Sequence, residues 1–490
     1  MTFLGLDIGT SAVKAVLAGD DQSVLADATA PLGISRPEPL WSEQDPADWI
    51  AAVEKAVAEI RKAAPEAFGG LRAIGLSGQM HGAVCLDEAH KPVRPTILWN
   101  DGRSHAQCAA LLEKLPEVGA IAGVLPMPGF TAPKLMWLAE HEPAHFEQVS
   151  TVLLPKDYVR LWLTGALASD MSDAAGTLWL DEAVRDWSDI VLTATGMDRA
   201  QMPPLLEGSA PAGSLRAEIA SQWGLDGEII VAAGGGDAAA GGVGIGAVED
   251  GDAFLSLGTS GQLFVTNAAY RPFPETMVHA FAHAVPERWF QMAAMLNGAS
   301  PLAWFAGIAG IEPGALLGEL GLEPGNYPAP GSGPLFLPYL AGERTPLNDP
   351  HATGAFYGLT AGDDRPVMTR AVLEGVALSF SDCLDCLKQA GTAIDRMAAI
   401  GGGARSNLWL QMLADALNVR VERYAGAETG PAFGAARLAR MAATGESAAD
   451  ICSKPDVEIA FDPDAGRHAA WQSRLETFRA LYRATKDLPA

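Results

Sequence analysis

Cysteine is scarce in this sequence, and long uncharged apolar runs are missing. The 490 residues include five cysteines, Cys85, Cys108, Cys383, Cys386 and Cys452. This odd, sparse set excludes a disulfide-stapled scaffold and favours a reducing compartment. No run approaches the roughly 18 apolar residues of a membrane-spanning helix. The first residues lack the basic segment of a signal peptide, so we expect a cytoplasmic protein that does not bind membranes.

Positive charge is also in short supply. The chain has 34 Lys and Arg residues against 59 Asp and Glu residues, a formal net charge of -25. Such an acidic chain repels phosphate backbones, so nucleic acids and anionic membranes are not expected partners. Hydrophobic residues make up 49% of the chain, which is enough for a sizeable core. At roughly 150 residues per domain, the length predicts two to four domains.

Two short motifs look like metal or redox sites, but their context argues against both. The segment His141-Glu142-Pro143-Ala144-His145 matches the HExxH zinc pattern, which requires one continuous helix. Pro143 should end that helix, so we expect no zinc there. The pair Cys383 and Cys386 lies alone in an apolar helical pattern, which favours core packing over metal binding.

A GxxxxGK[ST] loop is absent from the sequence, so ATP binding would need another architecture.

A Gly-Thr-Ser turn occurs twice, at Gly9-Thr10-Ser11 and at Gly258-Thr259-Ser260, with an offset of 249 residues. An apolar strand precedes and follows each copy. One short match is compatible with chance, but an offset close to half the length favours two similar halves. We place the boundary near Val248, which predicts domains at residues 1–248 and 249–490.

Helical patterns alternate with these strands. Residues 47–64 and 367–390 have helical periodicity, and the alternation predicts an α/β architecture. A third glycine-rich turn, Gly401-Gly402-Gly403-Ala404, follows an apolar strand and precedes a helical pattern that contains Asn407.

Glycine-rich turns that carry hydroxyl side chains favour phosphate binding. Their successive backbone N–H groups cradle anions, and the hydroxyls add donors. Asp7, at the end of the first strand, suits a hydrated Mg²⁺ ion, and Lys14 is close enough along the chain to reach a phosphate. For a single Gly-Thr-Ser turn, ordinary hairpin chemistry is the preferred interpretation. The second copy and Asp7 together favour phosphate binding.

Asp237 follows the glycine turn Gly234-Gly235-Gly236. A carboxylate in that position could accept a hydroxyl proton as a general base. Asp is also a favoured N-cap residue at the start of a helix. From residue chemistry alone, the cap is the preferred interpretation.

Polar residues follow apolar strands in two further segments, residues 75–82 and 97–103. Gln79, His81 and Asp101 offer hydrogen-bonding groups, and Trp99 offers a flat apolar face. This mixture suits a polyhydroxylated sugar. Polar turns beside a packed tryptophan explain the pattern equally well.

Taken together, these turns resemble the phosphate and adenosine elements of the FGGY carbohydrate kinases. The resemblance spans the chain and includes residues 338–346. It implies two ribonuclease-H-like domains, as in actin and Hsp70, around a central ATP cleft. Within the family, Gln79-Met80-His81-Gly82 and residues 97–103 resemble the kinases that act on xylulose. The implied reaction converts D-xylulose and ATP to D-xylulose 5-phosphate and ADP, with Mg²⁺ as cofactor.

The resemblance also implies site residues. Asp237 matches the family's catalytic base, which overturns the cap interpretation, and Asp7 matches the aspartate near Mg²⁺, which it would hold through water. Met80 and His81 match sugar contacts, and we expect Gln79, Trp99 and Asp101 beside them. Residues expected at the nucleotide are Gly9, Thr10, Ser11, Lys14, Gly258, Thr259, Ser260, Gly401, Gly402, Ala404 and Asn407.

Three alternatives stay open at this point. The chain could be an FGGY kinase for ribulose, fuculose, gluconate or erythritol, or a non-catalytic regulator that binds sugar or nucleotide. An Hsp70-like chaperone would need a peptide-binding domain after the ATPase, and we expect none. We also predict a hinge near Val248 that closes the two halves over the substrates. The oligomeric state is open, a homodimer included.

Overall fold

The computed structural model describes residues 1–331, 333–425 and 430–488. Its strands are β1 (Thr2–Ile8), β2 (Ala12–Gly19), β3 (Val24–Pro31), β4 (Glu43–Gln44), β5 (Leu71–Gly78), β6 (Val84–Leu86), β7 (Thr96–Ile97), β8 (Thr151–Leu153), β9 (Ser169–Asp170), β10 (Leu180–Asp181), β11 (Asp186–Trp187), β12 (Leu205–Leu206), β13 (Pro211–Ser214), β14 (Ile230–Ala232), β15 (Gly235–Gly236), β16 (Ala253–Leu257), β17 (Gly261–Asn267), β18 (His279–Ala282), β19 (Trp289–Met295), β20 (Leu335–Leu337), β21 (Ala355–Tyr357), β22 (Arg396–Ile400), β23 (Arg420–Tyr424) and β24 (Val457–Phe461).

The α-helices lie between and around these strands. They are α1 (Pro46–Ala63), α2 (Pro65–Gly69), α3 (His105–Lys114), α4 (Val118–Ala122), α5 (Thr131–His141), α6 (Pro143–Phe146), α7 (Pro155–Thr164), α8 (Met171–Ala174), α9 (Asp189–Ala194), α10 (Ala217–Trp223), α11 (Asp237–Ile245), α12 (Ser300–Ala309), α13 (Pro313–Glu319), α14 (Arg365–Gln389), α15 (Asn407–Leu417), α16 (Gly430–Thr444), α17 (Ala448–Ile451) and α18 (Ala465–Thr485).

Two mixed sheets of seven strands each organise the described chain. The first has the order β13-β14-β5-β1-β2-β3, with β15 also paired to β5, and the second has the order β18-β19-β17-β16-β22-β23-β24. In each sheet a Gly-Thr-Ser turn joins an antiparallel pair, β1–β2 or β16–β17. The first strand of each pair also pairs in parallel with a later strand, β5 or β22. The prediction of two similar α/β halves is therefore confirmed.

Helix α16 belongs to the second half of the sequence but packs on the first sheet. Phe3, Val16, Ala18 and Ala73 of that sheet form one buried cluster with residues of α16, which are Ala432, Phe433, Ala436 and Ala439. The boundary near Val248 stays a prediction. The packing shows that the two halves of the sequence share a core.

Glycines allow α16 to approach the sheet backbone. A Cβ atom at Gly5 would lie 1.8 Å from the Ala432 carbonyl oxygen, and one at Gly75 would lie 1.8 Å from that of Ala435. Helix α16 meets α11 in the same way, because a Cβ atom at Gly434 would lie 1.8 Å from the Ala240 oxygen. Real Cβ atoms never come so close to backbone oxygens, so only glycine fits at these crossings.

The two rejected motifs have the local structure that their residues predict. Helix α5 ends at His141, and Pro143 begins the separate helix α6, which carries His145. Cys383 and Cys386 are free and buried in helix α14. In residues 1–331, 333–425 and 430–488, no helix is both long and apolar enough to cross a membrane.

The glycine crossing yields a stability prediction. We expect Gly75→Ala to lower the free energy of unfolding by about 1–3 kcal/mol, because the added methyl group overpacks the contact with α16. Chemical denaturation followed by fluorescence measures the change. The matched control is Gly307→Ala in helix α12, where a Cβ atom would meet nothing within 4 Å. Equal stability of Gly75→Ala and the control would contradict the packing role of Gly75.

Candidate active site

Asp7 and Lys14 face each other at the first Gly-Thr-Ser turn. They are directly opposed in the antiparallel register of β1 and β2, so their side chains share one face of the sheet. Burial raises the pKa of Asp7 to about 6, opposed by the Ser77 hydroxyl and the Lys14 ammonium. Among the described residues, Asp7 Oδ1 has no hydrogen-bond partner. An orphaned buried carboxylate oxygen fits a hydrated Mg²⁺ ion, directly or through water.

Asp237 begins helix α11, and its Oδ1 accepts the Ala238 N–H at 2.7 Å. The side chain is exposed to a cavity between the two halves, and the protein around that cavity desolvates it in part. This desolvation, followed by repulsion from Asp7, raises the pKa of Asp237 to about 7, and the Ala238 amide opposes the rise. Asp237 therefore makes a helix-terminal contact and also has the pKa of a carboxylate suited to proton transfer near neutral pH.

The turn before Asp237 is held by residues that sequence reasoning missed. The Ser172 hydroxyl accepts the Gly236 N–H at 3.1 Å and donates to Asp170 at 2.6 Å. Arg160 donates to the Ala233 carbonyl at 2.6 Å. These contacts fix the backbone on both sides of the glycine turn, and with it the position of Asp237.

Ser172 and Arg160 belong to a fully buried charge cluster. The Lys156 ammonium lies 2.5 Å from Asp157, 2.6 Å from Asp170 and 3.2 Å from Asp173. Burial raises the pKa of Asp173 well above its ordinary value, with Lys156 opposing the rise. The three carboxylates have metal-like spacing, but the ammonium already supplies their cation. The sequence signal that could have revealed this cluster is the presence of Lys156, Asp157 and Arg160 among the buried positions of α7.

A cavity of about 400 Å³ opens between the two halves beside Asp237. Four other predicted residues line it: Met80, His81, Trp99 and Ser260. The cavity wall also includes residues that sequence reasoning did not single out, among them Gln262, Met292, Met295, Leu296, Arg344 and Pro431. Its mixture of apolar faces and a few polar groups suits a small polar ligand.

His81 is held in an unusual backbone conformation, with a φ of 71°. Its carbonyl accepts hydrogen bonds from the Thr131 hydroxyl at 3.0 Å and the Lys134 ammonium at 2.7 Å. The ring nitrogen Nδ1 lies 2.7 Å from the Gly176 carbonyl, which can only accept, so Nδ1 carries a proton. Burial lowers the pKa of His81 to about 3. The ring is therefore neutral, and Nε2 is an acceptor for a ligand hydroxyl.

Trp99 connects the cavity to the first Gly-Thr-Ser turn. Its indole N–H donates to the Thr10 hydroxyl at 2.9 Å, and that hydroxyl donates to Gln79 Oε1 at 2.9 Å. The Gln79 amide donates to Gln44 Oε1 at 2.9 Å. Gln79 is buried in this network and lies outside the cavity wall.

Asp101 is also buried outside the cavity wall. Its carboxylate accepts the Ser42 N–H at 2.6 Å and forms an ion pair with Arg103 at 2.7 Å. The guanidinium of Arg103 in turn lies 3.6 Å from the Trp41 ring centroid. Asp101 therefore supports the segment that carries Trp99, and its oxygens already have protein partners.

A second cavity, of about 920 Å³, lies on the other side of the β16–β17 turn. Three of the predicted nucleotide residues line it: Gly258, Thr259 and Gly402. Gly401 is the exposed neighbour of Gly402, with a φ of 92°. The wall residues that sequence reasoning missed include Ala299, Ser300, Pro313, Leu317, Arg405, Ser406 and Trp409.

Ala404 and Asn407 do not line the second cavity. Ala404 is buried beneath the turn, and the Asn407 side chain accepts a hydrogen bond from Arg423 at 2.8 Å. Both residues help to shape the segment between β22 and α15. Of the remaining predicted phosphate residues, Gly9 and Ser11 lie in the β1–β2 turn of the first half, and Lys14 lies in β2.

The two cavities share one wall. In the β16–β17 turn, Gly258 and Thr259 face the larger cavity, while Ser260 and Gly261 face the smaller one, which holds Asp237. A ligand in the larger cavity and a ligand in the smaller cavity would therefore meet at the hydroxyls of this turn. The arrangement suits transfer of a group from one ligand to the other.

Comparisons with known proteins agree with this geometry. The models of the N-terminal and C-terminal domains of the FGGY family of carbohydrate kinases match residues 2–244 and 253–443. The chain is 46% identical to the xylulose kinase of Escherichia coli over 100% of both chains.

Solved structures show the same relation. A crystal structure described as a "xyloylose kinase" from Brucella ovis superposes with a TM-score of 0.96, at 49% identity and with 100% of both chains covered. The xylulose kinase of Rhodospirillum rubrum superposes with a TM-score of 0.90, at 29% identity and with 99% of both chains covered. The chain is therefore an enzyme that belongs to the FGGY family of carbohydrate kinases.

Proposed function

We propose that this kinase transfers the γ-phosphoryl group of ATP to D-xylulose and releases D-xylulose 5-phosphate and ADP. The proposal rests on the β16–β17 turn, which forms a wall of both the larger cavity and the smaller cavity beside Asp237. The choice of sugar is supported by full-length relatives that are themselves named xylulose kinases. The larger cavity would take ATP, and the smaller cavity would take the sugar.

Asp237 would act as the general base. It opens onto the smaller cavity, and its pKa of about 7 leaves much of it ionised at neutral pH. It would accept the proton of the terminal sugar hydroxyl as that oxygen attacks the γ-phosphorus. The Ser172 hydroxyl and Arg160, through the glycine turn, would keep this carboxylate in position.

The Gly-Thr-Ser turns would bind the phosphates through backbone N–H groups and hydroxyls. Asp7, whose Oδ1 has no hydrogen-bond partner among the described residues, would hold Mg²⁺ through a water molecule. When bound, that ion neutralises charge on the phosphate oxygens.

Lys14 lies opposite Asp7 in the strand register and would contact a phosphate oxygen.

His81, Met80 and Trp99 would bind the sugar. The unprotonated Nε2 of His81 would accept a sugar hydroxyl, while Met80 and Trp99 would pack against its carbon atoms. Gln79 and Asp101, whose polar atoms are paired within the protein, would act by fixing Thr10 and Arg103. The hinge near Val248, the cytoplasmic location and a homodimer stay predictions.

The substrate is tested by Mg²⁺-dependent ADP release on a panel of sugars and polyols. We expect D-xylulose to have the highest kcat/KM among D-xylulose, D-ribulose, L-fuculose, D-gluconate and erythritol. A higher kcat/KM on another member would move the assignment to that sugar. Sugar binding by calorimetry without any turnover would favour a non-catalytic regulator.

The role of Asp237 is tested by Asp237→Asn, which keeps the side-chain shape but removes the base. We expect kcat to fall by about 10²- to 10⁴-fold, the range for loss of a general base, while ATP binding measured by calorimetry is retained. The matched control is Asp48→Asn on the exposed first turn of α1, which should leave kcat unchanged. A kcat for Asp237→Asn within a few-fold of the wild-type value would count against the base.

The raised pKa of Asp237 predicts a pH profile. The carboxylate works only when it is deprotonated, so kcat/KM should fall about tenfold per pH unit below its apparent pKa. Because the negative charge of Asp7 contributes to the raised pKa, Asp7→Asn should lower the pKa of Asp237. The acidic limb of the residual activity should then move to lower pH. An acidic limb at the same pH in the wild type and in Asp7→Asn would contradict the electrostatic coupling between Asp7 and Asp237.

A further inference from the structure

Arg344 enters the sugar cavity from the second half of the chain. It lies in the segment between β20 and β21 and lines the same cavity as Asp237, His81 and Trp99. His81 and Trp99 come from the first half, so Arg344 completes the cavity from the opposite side.

The backbone around Arg344 is firmly anchored. The neighbouring Glu343 carboxylate accepts the Leu296 N–H at 2.6 Å and the Arg344 N–H at 2.9 Å. On the other side, the Thr345 N–H donates to the Ala294 carbonyl at 3.1 Å. These bonds tie residues 343–345 to the end of β19, so the position from which the Arg344 side chain projects is fixed.

The guanidinium of Arg344, in contrast, has no acceptor among the described residues. Within residues 1–331, 333–425 and 430–488 it forms no hydrogen bond and no ion pair, and it lies near the Trp99 ring, 5.9 Å from Cζ to the centroid. Burial lowers its pKa, opposed by Glu343, but an arginine stays charged at neutral pH. The side chain is half-buried and lines the cavity, so its five donors are available to oxygen acceptors of a ligand that replaces water there.

We propose that Arg344 is a substrate-binding residue that donates hydrogen bonds to oxygen atoms of the sugar. The inference rests on the proposed function of this cavity. Hydroxyl and carbonyl oxygens of a ketose are acceptors for the guanidinium. Because Arg344 and His81 come from different halves, a bound sugar would join the two halves.

A purely structural role is the competing explanation. The distance from Arg344 to Trp99 is at the outer limit of a cation–π contact, about 6 Å, and Trp99 is 36% exposed. A cation–π contact needs only a positive charge over the ring, which lysine also supplies. Donation to two sugar oxygens needs the planar guanidinium, which lysine lacks.

The test compares Arg344→Lys and Arg344→Gln with the wild-type enzyme. We expect both variants to raise the KM for D-xylulose on the order of 10- to 100-fold, the effect of losing a charged hydrogen bond, with the KM for ATP within about twofold of wild type. Arg344→Ala should regain activity when guanidinium ion is added, relative to an equal concentration of sodium chloride. The matched control is Arg365→Gln, which removes an exposed arginine paired with Glu319 and should leave both KM values unchanged.

Two results would overturn the proposal. The first is a KM for D-xylulose in Arg344→Gln that equals the wild-type value. The second is a wild-type KM for D-xylulose in Arg344→Lys, which would assign Arg344 to the Trp99 contact. Wild-type turnover of D-xylulose is the reference for both. Its absence would count against the proposed function, whereas normal wild-type turnover with unaffected variants would count against Arg344 alone.

Discussion

The backbone contact between α16 and the first sheet is the constraint on which the rest of the structure depends. At Gly5 and Gly75 the helix meets the strands with no side chain between them, and at Gly434 it meets α11. This contact places the start of α11, and therefore Asp237, beside the ends of β1 and β5. It also brings the second half against the first, so that the smaller cavity forms between them beside the β16–β17 turn.

A second constraint is electrostatic. The proposed role of Asp237 as a base needs a pKa near neutral; desolvation raises this pKa, and the charge of Asp7 raises it further. Two neighbouring carboxylates repel each other, so their positions must be imposed by the surrounding protein. The buried cluster around Lys156 contributes through Ser172 and Arg160, which bind the turn before Asp237. Buried charges outside the cavity wall thus help to position the Asp237 carboxylate.

Local patterns predicted much of this arrangement from the sequence. The repeated Gly-Thr-Ser turn indicated two similar halves, and Pro143 indicated the end of α5, because both depend on residues adjacent in the chain. Long-range contacts were not predictable in the same way. Gln79 belongs to the hydrogen-bond network of Thr10 and Gln44, and Arg344 reaches the smaller cavity from a segment far along the chain. No local periodicity encodes such contacts.

The net charge of -25 raises a further question, since the ligands of a kinase carry phosphate. Arg344 lines the smaller cavity, Arg405 lines the larger cavity, and Lys14 stands opposite Asp7. Beside these few cations, the proposed phosphate binding would use backbone N–H groups in the glycine turns and Mg²⁺. Backbone donors carry no net charge and keep their position when the ligand leaves. An acidic protein can therefore bind a polyphosphate without a basic surface, because its donors are built into turns that the fold already requires.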